Sequence, residues 1–111
     1  MPSVQSDDRR SEVRLPTSFF AVQLATTGEP RMRYRLVKDL SLNGFAVDDR
    51  APDEQIGDRI LMEFPLPGST QPVRVDGKVV YAAAERGIGV RIIEADRGRY
   101  AQLLDSPPPI R

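Results

Sequence analysis

The chain has 111 residues, with 16 Lys+Arg against 16 Asp+Glu, 40% hydrophobic and 29% charged residues, and neither cysteine nor histidine. This length suits one domain with a modest core, and the mixture of apolar and charged residues suits a globular rather than a disordered chain. The missing residue types exclude disulfides, Cys-based zinc sites, Cys nucleophiles and His general bases; zero formal charge argues against bulk binding to DNA, RNA or a membrane surface but leaves room for a local basic patch.

In chain order, residues 1–8 (MPSVQSDD) are polar and aperiodic and read as a flexible tail. They contain no apolar stretch that would mark a secretory signal, and no run in the chain approaches membrane-spanning length, so a soluble cytoplasmic protein without membrane insertion is expected. Residues 9–17 (RRSEVRLPT) are charged and end near Pro16. SFFAVQL (18–24) has strand composition, and TTGEPR reads as a turn. MRYRLVKDLSL (32–42) alternates, with Tyr34, Leu36, Lys38 and Leu40 on one side and Arg33, Arg35, Val37 and Asp39 on the other. GFAVDD continues as a short strand.

RAPDEQIGD is a polar connection, RILMEFPL (59–66) a strand, and PGSTQP its closing turn. VRVDGKVVYAA (73–83) alternates again, and RGIGVRIIEA (86–95) is a last strand. In EADRGRYAQLLD, Tyr100, Leu103 and Leu104 take the i, i+3, i+4 spacing of one helix face; the prolines of SPPPIR cannot continue that helix. The domain is expected over 9–105: an Arg-rich segment at 9–17, strands over 18–94, a helix at 95–105 and a tail at 106–111. Six short strands and one helix suggest a small antiparallel barrel or sandwich.

Two polar clusters stand outside this pattern. Arg9, Arg10 and Arg14 precede the first strand, and Asp39, Ser41 and Gly44 punctuate DLSLNG, which begins 25 residues after Arg14. Each has a plain reading: a solvated basic run, and turn chemistry in which Asp and Ser bond locally and Gly supplies a positive φ. Only two of the 16 cations, Lys38 and Lys78, are lysines, so the cationic groups are mostly planar forks suited to phosphates and guanine edges. The paired carboxylates Asp48-Asp49 and Asp53-Glu54 read as solvated loop residues rather than a metal site, Gly87 and Gly89 as turn and packing glycines, and Tyr81 either as packing or as a stacking surface.

Taken together, RRSEVR followed by DLSLNG resembles the two-part signature of the PilZ family, RxxxR plus (D/N)xSxxG, and GDRILMEFPLP, VRVDGKVVYAA and GIGVRI resemble the later strands of that domain. The resemblance covers roughly residues 9–104. It implies a six-stranded antiparallel β-barrel followed by a helix, and a stand-alone, non-enzymatic bacterial receptor for the second messenger cyclic di-GMP that relays occupancy to an effector protein. The alternative it leaves is a PilZ-fold interaction module with little or no ligand binding. The implied ligand residues are Arg9, Arg10, Arg14, Asp39, Ser41 and Gly44, with Tyr81 at the strand end where several members place an aromatic; no cofactor or metal is implied.

The chemistry is apt. Arg meets phosphate oxygens and the O6/N7 edge of guanine with paired hydrogen bonds, whereas a carboxylate such as Asp39 suits guanine's N1–H and N2–H. An Arg directly before RxxxR, here Arg9, accompanies capture of two stacked ligands in PilZ-like domains, so two per chain are expected. The segment from Asp7 to Thr17 is expected to order across the barrel mouth on binding. In the one departure, Ile92 stands where the family often has an aromatic and is expected to fill the same core site.

Overall fold

The computed structural model describes residues 13–109. Six antiparallel strands, β1 (Leu15–Thr26), β2 (Glu29–Leu40), β3 (Gly44–Asp48), β4 (Arg59–Phe64), β5 (Val73–Ala83) and β6 (Gly87–Ala95), are followed by helix α1 (Arg97–Asp105). They close into a barrel in the order β1-β2-β3-β6-β5-β4, the architecture the resemblance implied.

The β1–β2 hairpin is longer than the composition suggested, because its turn needs only Thr27 and Gly28. Both have positive φ (49° and 83°), the pairing that matches the twist of flanking strands. Thr27 is held there by hydrogen bonds with Arg59: its N–H donates to the Arg59 carbonyl at 2.6 Å, and the Arg59 N–H donates to its Oγ1 at 3.3 Å. At the other end β1 begins at Leu15, takes in Pro16 and bulges before Phe19. Pro16 is tolerated because β1 pairs with β4 only from Val22 onward, so no ladder bond is required of its missing N–H on that side.

A second bulge corrects the alternation along β2. Val37 pairs with Val47 but Asp39 with Ala46, which leaves Lys38 as an extra residue. The phase flips there: Leu40 joins Val37 in the core instead of sharing the outer face of Tyr34 and Leu36.

The core is apolar toward the helix end. Phe64 makes edge contacts with Phe19 and Phe45 (centroids 6.1 and 5.0 Å) and a tilted one with Tyr100 at 6.4 Å. Asp96 caps α1 through the Arg99 N–H at 3.1 Å, and Tyr100 and Leu103 are buried with Leu104 beside them, as the helical spacing predicted. Ile92 also lies in the core.

The opposite end is polar. Arg35 is buried and donates to Gln23 Oε1 (2.7 Å), Glu54 Oε2 (2.9 Å) and Asp49 Oδ2 (2.7 Å), while Gln23 Nε2 also reaches Glu54 at 3.2 Å. Glu54 and Asp49 are therefore not solvated loop carboxylates: the β3–β4 connection folds in and uses them to neutralise a guanidinium that the strand places inside. Outside this knot Asp53 accepts from Arg31 (2.6 Å) and Arg33 (3.3 Å).

Two predictions follow from this end of the barrel. Arg35→Met should lower unfolding free energy by about 3–5 kcal/mol in urea titrations, because it takes from the buried Glu54 its closest cation and leaves only Gln23 and a longer contact to Arg33. The Arg31 hydrogen bond holds the Asp53 carboxyl down to about 2 from 3.8. A carboxyl depressed by folding adds stability above pH 3.8 that is lost as pH falls toward 2. The stability gap between wild type and Asp53→Asn, less than about 1 kcal/mol for so exposed a pair, should therefore close across that window in pH-dependent melts.

Candidate functional site

The DLSLNG stretch forms the β2–β3 turn, and the carbonyls of Ser41, Leu42, Asn43 and Gly44 each have a partner. The Ser41 N–H donates to Gly44 O at 2.9 Å, and the Ile92 N–H to Asn43 O at 2.8 Å. Arg97 of α1 donates to Leu42 O at 2.9 Å, and the Tyr100 hydroxyl donates to Ser41 O at 2.8 Å and lies 3.2 Å from Gly44 O. The helix thus clamps the turn. Ser41 is buried, with its hydroxyl 3.2 Å from Gly44 O.

Gly44 is not among the positive-φ glycines. A Cβ there would lie 2.4 Å from Val90 O, so the position needs glycine because β6 passes so close to β3. The same outer face continues through Ala46 to its register partner Gly89. A bulge at Val80 shifts the phase of β5, so that Val79 and Ala82 face the core and Tyr81 turns outward. Its ring lies on Gly89, where a Cβ would come within 2.0 Å of the ring, and the Arg86 guanidinium sits over it at 3.9 Å from the centroid.

Gly44 and Gly89 help floor a cleft of about 530 Å³ on the outer wall, bounded by Arg14, Ser41, Asn43, Tyr81 and Arg91. A second cleft of about 500 Å³ shares Arg14 and Tyr81 and adds Lys38, Asp39, Glu85 and Arg86. Arg14 and Asp39 meet across 25 residues of sequence, Nη2 to Oδ1 at 2.9 Å, and both remain partly exposed.

The structure therefore brings together Arg14, Asp39, Ser41, Gly44 and Tyr81. Arg9 and Arg10 lie outside the described residues. Most of the segment expected to order on binding, Asp7 to Thr17, likewise lies outside the described residues. Arg86 and Arg91 join the two clefts without having been singled out in the sequence; Arg91's only signal was its alternation with the core residues Val90 and Ile92. Among the described residues no cluster of three or more acidic side chains is arranged for a metal.

The clamp is testable apart from any ligand. Tyr100→Phe removes a buried hydrogen bond to Ser41 O, which should cost about 0.5–1.5 kcal/mol. Amide exchange of Asn43 and Gly44 should accelerate by more than that of the β4–β5 ladder.

A search among curated proteins returns no match to this chain. A family description of the PilZ domain matches residues 8–106, nearly its whole length, and the closed six-stranded barrel with its C-terminal helix agrees. The chain belongs to the PilZ domain family.

Proposed function

We propose that this protein is a cyclic di-GMP receptor that passes ligand occupancy to a partner protein. The observation that carries this reading is the meeting of the two halves of the family signature: Arg14 and Asp39 at 2.9 Å, on the rim shared by two clefts. Arg14, Arg86 and Arg91 offer forks for the phosphates and for guanine O6/N7, and Asp39 offers acceptors for guanine N1–H and N2–H. Tyr81 presents an aromatic surface to a base, and the Arg86 guanidinium lies over its ring at 3.9 Å from the centroid. Arg9 and Arg10 would add phosphate contacts, Ser41 a hydrogen bond and Gly44 a close backbone approach. Adjoining clefts on either side of Arg14 and Tyr81 leave room for the two stacked ligands expected from Arg9. Nothing in this chemistry requires catalysis: the site holds charged donors and acceptors and acts by binding.

Calorimetric titration of cyclic di-GMP into the full chain is the test. Wild type should bind it in preference to GTP, with two ligands per chain. Arg10→Ala and Arg14→Ala should each weaken binding on the order of ten- to a hundredfold, the equivalent of one charge-assisted hydrogen bond, and Arg9→Leu should shift the count toward one. No heat of binding from wild type would leave the fold as an interaction module alone.

A further inference from the structure

A strand sends successive side chains to opposite faces, so two neighbours on one face require a bulge. The extra residue in β2 has this effect. Val37 and Leu40 are buried, while Lys38 and Asp39 between them are both half-buried and both line the second cleft. The two side chains reach in different directions. Asp39 accepts from Arg14 at 2.9 Å. Lys38 Nζ donates to the Arg86 carbonyl at 2.5 Å, 48 residues away. In the barrel order β3 stands between β2 and the β6-β5 pair, so this bond spans β3 and ties the β2 wall of the cleft to the β5–β6 turn.

That turn is closely held. The Arg86 N–H donates to Ala83 O at 3.1 Å, and a Cβ on Gly87 would lie 2.1 Å from Val47 O. With its N–H and its carbonyl both bonded, Arg86 combines a fixed backbone with an exposed side chain. Only one face of the Tyr81 ring is open to that side chain. A Cβ on Gly89 would stand 2.0 Å from Cε2 of the ring and 2.4 and 2.5 Å from its two ring neighbours, Cδ2 and Cζ. Distances so nearly equal belong to a point above the ring; an approach in the ring plane would leave the neighbours much farther off. One face of Tyr81 therefore lies on the Gly89 backbone, and the guanidinium, 3.9 Å from the centroid, covers the other. A base can stack on Tyr81 only at the face that Arg86 covers, so it enters beneath the guanidinium. Arg stacks on bases as it does on aromatic rings, and guanine O6 and N7 add acceptors that the tyrosine ring lacks. Closing over the base therefore gives Arg86 more than it gives up.

We propose that Lys38 is a positioning residue of this cleft: it anchors Arg86 over Tyr81, so that a stacked base is held between the ring and the guanidinium. The base is taken to be a guanine of cyclic di-GMP, so this role rests on the receptor reading, whereas the bond from Lys38 to Arg86 does not. Lys38 acts through Arg86 rather than on the ligand.

The test joins NMR of the tyrosine rings to calorimetric titration of cyclic di-GMP into the full chain. Wild type is compared with Lys38→Met, Arg86→Ala and the double variant, each with a thermal melt. Without nucleotide, Lys38→Met should shift the Tyr81 ring resonances and leave those of Tyr100 in place, with a melt close to wild type as for other surface substitutions. Lys38→Met and Arg86→Ala should each weaken binding on the order of tenfold. The double variant should bind no more weakly than Arg86→Ala alone, whereas separate contacts from both side chains to the ligand would multiply their losses. Unmoved Tyr81 resonances in Lys38→Met, multiplied losses in the double variant, or wild-type affinity in either single variant would each overturn the proposal and leave the receptor reading standing. Absence of binding by wild type would overturn both.

Discussion

The pairing of β3 with β6 is the contact on which both barrel and site depend. It joins one half of the barrel, β1-β2-β3, to the other, β6-β5-β4, across more than 40 residues of sequence. The strands approach so closely at Gly44 that a single carbon added there would press on the Val90 carbonyl. On the outer side, Gly44 and Gly89 leave the wall almost without side chains, and both line the cleft. One stereochemical requirement thus closes the sheet and hollows its surface. Larger residues at these positions would fill the cleft and force the strands apart at once.

The two ends of the barrel are sealed by different physics. At one, α1 supplies apolar side chains against Phe64 and also fastens the β2–β3 turn through Tyr100 and Arg97. At the other, a buried guanidinium is matched by two carboxylates and an amide from other elements. Apolar packing tolerates small shifts, whereas the polar knot penalises any arrangement that leaves a charge unmatched. The knot therefore fixes how the β3–β4 connection lies against β1 and β2, while the helix end holds the turn that carries the family motif.

Much of this was legible in the residues. Composition and punctuation located six strands and a helix, and the helix face of Tyr100, Leu103 and Leu104 followed from spacing. The motif residues Arg14, Asp39, Ser41 and Gly44 were named by pattern and line two clefts that share Arg14. Bulges escaped, because an extra residue in a strand leaves no mark in hydrophobic periodicity. The one at Lys38 moved Leu40 inward, and the one at Val80 turned Tyr81 outward. Arg35 and Glu54 escaped for another reason: a charge that is buried with its partner looks in sequence like any solvated charge, since the partner lies 19 residues away. Gly44 was legible as glycine, but its cause is a neighbouring strand rather than its own φ.

The aromatic inventory gives the molecule a spectroscopic property. The chain has no tryptophan and three tyrosines, and each tyrosine sits in a different environment. Tyr34 stands in solvent on the β1–β2 face, Tyr81 lies between Gly89 and Arg86 at the clefts, and Tyr100 is buried with its hydroxyl on the turn. The ring resonances of these side chains are three native reporters: one for the outer face, one for the clefts and one for the clamp between helix and turn. Events at each place can be followed in the unlabelled protein.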